Sequence, residues 1–221
     1  MAYSSTVYPP SPCRHQARTR GFTLIELLMV IAVIMLLAGL TFGISTGVRN
    51  AQARAEAKGE LATLQQGLER FKSQHGDYPW VEEADLKSKK NAEILLEALM
   101  GWWHFEDGKF QPKEDVPDGG PEAFIDPGKF MLSEKLPDDR STPPEDWEEN
   151  TYIQDPWETA YVYLYKSDDN PDDWEAYGYH LFSAGPDGEV STEGLDTSTG
   201  VMDSGDFRKA ETNGDNVHQG D

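Results

Sequence analysis

Gly21-Phe22-Thr23-Leu24-Ile25-Glu26-Leu27-Leu28 opens the run FTLIELLMVIAVIMLLAGLTFGI, which extends from Phe22 to Ile44 with Glu26 as its one charged residue. About 20 apolar residues in a helix span the hydrocarbon core of a bilayer. A helix apolar on every face has no side to turn toward water. The run therefore reads as a transmembrane helix over 22–44, against the alternative of an unusually uniform core helix in a soluble domain. Residues 1–21 carry Arg14, Arg18 and Arg20 and no Asp or Glu, whereas acidic residues dominate from Glu26 onward. The positive-inside tendency then keeps the N-terminus cytoplasmic and exports the C-terminal bulk. A secretory signal peptide has an apolar region of about 7–15 residues followed by its cleavage site. Here the run is longer, and the suggestive junction, Arg20-Gly21-Phe22, lies before it.

Glu26 is the informative departure. A carboxylate inside a span costs ~2.5–3.5 kcal/mol on insertion scales and tends to mark function. The plainer reading is that its side chain snorkels to the nearby interface. Cleavage before Phe22 would supply a cation at matching depth, the new α-amino group. In a staggered array, Glu26 of one subunit would pair with the Phe22 amine of the next. Gly39, Gly43 and Gly47 follow at helical spacing and allow close helix approach or locally weaken the helix.

The segment from Gly21 to Leu28 resembles the cleavage and methylation signature of type IV pilins and of the pseudopilins of type II secretion. The resemblance implies an α+β, pilin-like fold: a long N-terminal helix on a small antiparallel β-sheet head with a calcium-type loop. It further implies cleavage between Gly21 and Phe22 by a prepilin peptidase, methylation of the Phe22 amine and an assembly role for Glu26. The retained glutamate favours a major, polymerising subunit.

Beyond the span, residues 45–76 continue the helix. Ala57, Leu61, Leu64, Leu68 and Phe71 fall at spacings of 4, 3, 4 and 3, one apolar stripe that would face either a head or a coiled-coil partner. A helix from Phe22 to His75 would be ~80 Å long. His75-Gly76-Asp77-Tyr78-Pro79 ends it, with Gly near the C-cap and Pro beyond, and resembles the close of the long helix in major pseudopilins. The head is expected over 77–203. It contains a second helix around Asn91–Met100 and a partly ordered insertion over 104–150 that has no counterpart in the family pattern. Tyr161–Tyr165 and Ala176–Ser183 read as two antiparallel strands joined by an acidic turn. Asp155-Pro156-Trp157 is similar to the Asp-Pro-Trp-Gly segment before a major-pseudopilin strand, with Glu158 in place of the Gly. Residues 204–221 lack an apolar pattern and are expected to be disordered.

Ser183-Ala184-Gly185-Pro186-Asp187-Gly188-Glu189, followed by Glu193-Gly194-Leu195-Asp196, resembles the calcium loop of major pseudopilins. The implied ligands are Ala184 through its carbonyl and Asp187, Glu189 and Asp196 through their carboxylates, with Glu193 or Asp203 as substitutes. Calcium takes 6–8 oxygen ligands, and a merely solvated acidic turn is the alternative. An acidic run at 168–173 begins like an EF-hand loop but has Asp173 where Gly is needed and Tyr179 where the bidentate Glu belongs.

Formal net charge is −21, which repels nucleic-acid phosphates and argues against nucleic-acid binding. Cys13, the one cysteine, lies in the expected leader, so the mature chain forms no disulfide. The five histidines are scattered, and no nucleophile–base set points to an enzyme. The expected role is structural: a self-polymerising subunit of the bacterial inner membrane with its head in the periplasm. Its partners would be prepilin peptidase, other pseudopilins and inner-membrane assembly proteins. A type IV pilin for adhesion, motility or DNA uptake, and a tethered binding module on a pilin anchor, are the other readings.

Overall fold

The computed structural model describes residues 21–114, 116–147, 150–210 and 212–218, with the side chains of 40–46 outside that description. Helix α1 spans Leu24–His75 and belongs to two compact units that divide between Thr46 and Gly47. In the first unit the helix is studded with exposed large apolar side chains from Leu24 to Leu37. Among the described residues no helix is long and apolar enough to cross a membrane.

The second unit is the head. The stripe read from the sequence is its spine: Ala57, Leu61, Leu64, Leu68 and Phe71 are all 0 % exposed. Burying each Leu contributes on the order of 1.5–3 kcal/mol. Gly76, at φ +93°, ends the helix in the left-handed conformation that Gly adopts most readily. Helix α2, Lys89–Leu99, turns Ile94, Leu95, Leu96 and Leu99 into the same core.

A hairpin follows, β1 (Trp103–Glu106) against β2 (Lys109–Pro112), around Asp107 and Gly108, both at positive φ. That turn matches the twist of the flanking strands. Strands β3 (Met131–Leu132) and β4 (Ile153–Gln154) form a second antiparallel pair. The stretch over 104–150, expected to be partly ordered, contributes to the core of the head. Phe110, Phe124 and Ile125 are buried, and Phe71 of α1 meets Phe110 and Phe124 edge-on, at 6.3 and 5.2 Å between centroids.

Strand β5 (Val162–Leu164) pairs antiparallel with β6 (His180–Ser183), Tyr163 opposite Leu181, as the two aromatic runs predict. A third strand, β7 (Val217–His218), adds to the free edge of β6. It lies in the tail expected to be disordered. Helix α3 (Ser204–Phe207) precedes it, with Asp203 capping Gly205 N and Asp206 N. The tail is short of apolar residues, but Phe207, Ala210 and Val217 are all buried, and strand pairing satisfies backbone that periodicity cannot flag.

Candidate functional site

Gly21 and Phe22 precede α1 and are exposed, Phe22 to 87 %. Thr23 N and Thr23 Oγ1 both donate to Glu26 Oε2, at 3.0 and 2.9 Å. Glu26 N donates back to Thr23 Oγ1 at 3.3 Å. This is a reciprocal capping box: the carboxylate satisfies donors that a helix N-terminus leaves without partners. In the single chain Glu26 is thus occupied by its own helix start, a partner the sequence reading did not assign it. Beyond the helix's own backbone and the adjoining residues, no described heavy atom lies within 4 Å of a Cβ built at Gly39 or Gly47, which leaves room there for a neighbouring helix. Gly43 lies outside the described side chains.

The head is fastened at two carboxylates that were read only as parts of motifs. Asp77 accepts from Tyr165 Oη (2.7 Å), Lys166 Nζ (2.8 Å), Trp80 Nε1 (3.3 Å) and Tyr78 N (3.0 Å). Burial alone would raise its pKa, but these donors outweigh burial and hold the carboxyl below its ordinary value. Beside it, burial and the Glu69 carboxylate push Tyr78 up to about 12, so Tyr78 stays a neutral donor to Glu69. The junction after α1 is thereby locked to the end of β5.

Asp155, the Asp of Asp-Pro-Trp, is 0 % exposed. Its Oδ2 accepts from Ser183 Oγ (2.5 Å) and Thr159 Oγ1 (2.7 Å), and its Oδ1 from Trp157 N and Thr159 N (both 3.0 Å). Glu158 sits in this turn at φ +66°, so the turn keeps a glycine-type conformation although Glu occupies it. Ser183 in turn accepts from Gly185 N at 3.0 Å, which ties the Asp-Pro-Trp turn to the start of the acidic loop.

In that loop the expected ligands do not gather. Ala184 is buried beside β7, whereas Asp187, Glu189 and Asp196 are exposed. Asp187 Oδ1 accepts from Glu189 N at 2.9 Å. Asp196 Oδ1 accepts from Ser198 N, Ser198 Oγ and Thr199 N at 3.0, 2.6 and 3.3 Å. Among the described residues no group of three or more His, Cys, Asp or Glu is placed to hold a metal ion. The residues present do not fit a calcium cage.

A capped helix start that leads into exposed apolar surface, together with small antiparallel β-sheets, is consistent with an α+β, pilin-like fold. Residues 16–42 match the family model of the prokaryotic N-terminal methylation motif, and residues 131–201 match that of type II secretion system protein G. The chain is similar to a type II secretion system core protein G of Escherichia coli (strain K12), 27 % identical over 184 residues, covering 83 % of this chain and 93 % of the relative. It is also similar to a protein of the same description from Klebsiella michiganensis, 26 % identical over 110 residues, covering 50 % and 75 %. No solved structure matches. Residues 16–42 and 131–201 thus carry the two signatures found in pseudopilins of the protein G type.

Proposed function

We propose that this chain is a polymerising subunit of a type II secretion pseudopilus, inserted in the inner membrane through residues 22–44 with its head in the periplasm. A prepilin peptidase cleaves between Gly21 and Phe22, and the new Phe22 amine is methylated. The observation that carries this reading is Glu26, a carboxylate four residues beyond the junction at the head of an apolar run, inside the matched methylation motif.

The capping box gives assembly a physical course. A waiting subunit shelters the Glu26 charge on Thr23, which lowers the cost of holding it in lipid. An incoming neighbour brings the Phe22 ammonium to the same carboxylate, and a charge-assisted bond replaces two neutral donors. Close approach at Gly39 and Gly47 and burial of the apolar face add to the drive. The subunit then joins a filament with other pseudopilins, built on inner-membrane assembly proteins. Its role is structural rather than catalytic.

Mass spectrometry of the purified protein should find Phe22 as the N-terminus, carrying one extra methyl. Glu26→Gln should be processed but should not enter filaments, scored by crosslinking in membranes. An intact leader, or normal filaments from Glu26→Gln, would overturn the proposal.

A further inference from the structure

We propose that the acidic loop of this head is closed by the chain's own C-terminal segment, residues 203–210 and 212–218, in place of a calcium ion. Such an ion earns its place by drawing together carboxylates that would otherwise repel. Here the carboxylates stay apart: Asp187, Glu189, Glu193, Asp196, Asp203 and Asp206 are all exposed, where water screens them. Three of them are already engaged in capping backbone N–H groups, Asp187 at Glu189, Asp196 at Ser198 and Thr199, and Asp203 at Gly205 and Asp206.

The closing contacts come from the protein. Asn213 Oδ1 accepts from Ser191 N at 2.8 Å and Asn213 Nδ2 donates to Ser191 O at 3.0 Å, a two-point staple across the loop by a buried side chain. Strand β7 pairs with β6 so that Val217 stands opposite Ser183, one residue before the expected carbonyl ligand Ala184. Gly185, at φ +75°, lets the backbone of Asp215 approach to where a Cβ would be 2.5 Å from its carbonyl oxygen.

Phe207 is 0 % exposed and meets Phe182 edge-on at 5.6 Å. Gly194 packs against its backbone. The sub-loop 194–203 closes on itself through Asp196 N to Val201 O (3.0 Å), Gly200 N to Asp196 O (2.8 Å) and Asp203 N to Gly194 O (2.8 Å). Two buried oxygens on this segment, Asn216 Oδ1 and Thr212 Oγ1, have no protein partner. Both are neutral, so burying them creates no repulsion that a divalent cation would be needed to relieve. The segment lies beyond residues 131–201, where the protein G family model matches, and the inference stands whether or not the chain polymerises.

The test is thermal unfolding of the full chain in detergent, with excess CaCl2, MgCl2 or EGTA, alongside calorimetric titration with CaCl2. The expected result is one midpoint in all three conditions and no saturable heat. Asn213→Ala should lower that midpoint by roughly 3–8 °C, and Asp187→Ala should leave it unchanged. An occupied site at 100 times its Kd would raise the midpoint by about 5–10 °C. A rise of that size specific to calcium and lost in Asp187→Ala would overturn the proposal. So would an Asn213→Ala protein as stable as the parent, because the tail would then not be what holds the loop. Should Asn213→Ala fail to fold, the calcium arm on the unaltered chain still decides.

Discussion

Tyr161 Oη donates to Glu60 Oε2 at 2.6 Å, joining α1 to the start of β5 across 101 residues of sequence. Burial raises the Glu60 carboxyl above its ordinary value, against the opposing pull of this bond. Burial likewise pushes the Tyr161 hydroxyl up, with Glu60 adding to it. Tyr161 therefore remains a neutral donor at every physiological pH. Tyr161→Phe keeps the ring in the core but leaves a half-buried carboxylate without its donor. We expect a loss of about 1–2 kcal/mol, read as a lower urea midpoint with an unchanged slope.

Asp155→Asn replaces an acceptor-only side chain with one that carries an NH2 group. Its NH2 group either faces the Trp157 and Thr159 amides, which can only donate, or forces the Ser183 and Thr159 hydroxyls to turn from donating to accepting. In both arrangements the charge-assisted bonds to the carboxylate are lost. The expected cost is ~2–4 kcal/mol, with hydrogen exchange rising first at Ser183–Gly185. Unchanged protection there would show that the buried carboxylate does not anchor the loop.

Gly67 lies where α1 meets the 104–150 stretch. A Cβ at this position would stand 2.6 Å from Ile125 Cγ2 and 3.2 Å from Leu99 Cδ2. Gly67→Ala gains about 1 kcal/mol of helix propensity and costs about 1–3 kcal/mol of overpacking. Net destabilisation by ~1 kcal/mol in chemical denaturation is the expected outcome. A stabilised variant would mean that Ile125 does not dock against the helix.

Acid should weaken the head through two histidines. Burial lowers the pKa of His75, and Lys113 and His104 add to the shift. Burial also lowers the pKa of His180, against the opposing hydrogen bond to Gly200 O. Both favour the neutral ring when folded, so their contribution is present above the unfolded value near 6.5 and is lost as pH falls through the lower folded values. Glu60 and Glu97 are raised by burial and act in the opposite sense: their contribution is present below the ordinary carboxylate range and lost as pH rises. Urea midpoints between pH 7.5 and 5.5 should fall for the parent and fall less for His75→Gln. Parallel curves for the two proteins would remove His75 from the account.

Much of the helical part was legible because period and punctuation are local. The spacing of Ala57, Leu61, Leu64, Leu68 and Phe71 found the buried face, and Gly76 with Pro79 found its end. Tyr161–Tyr165 and Ala176–Ser183 located β5 and β6 because runs rich in aromatic and β-branched residues mark strands locally. One local signal was passed over: Asp107-Gly108 between Phe105 and Phe110 is a hairpin signature, and it would have placed β1 and β2 inside the stretch read as partly ordered.

By itself, the sequence determined the methylation-motif segment, the apolar run with its single carboxylate, the helix stripe and the core strand pair. Each depends on residues within a few positions of one another. Only the tertiary structure decided that the tail forms β7, that Asn213 staples Ser191, that Asp155 anchors Ser183, and that the loop acids cap backbone amides instead of converging. Those outcomes turn on which distant backbone offers a donor or a free strand edge, and a polar side chain of given composition satisfies an ion or an amide equally well until the chain has folded.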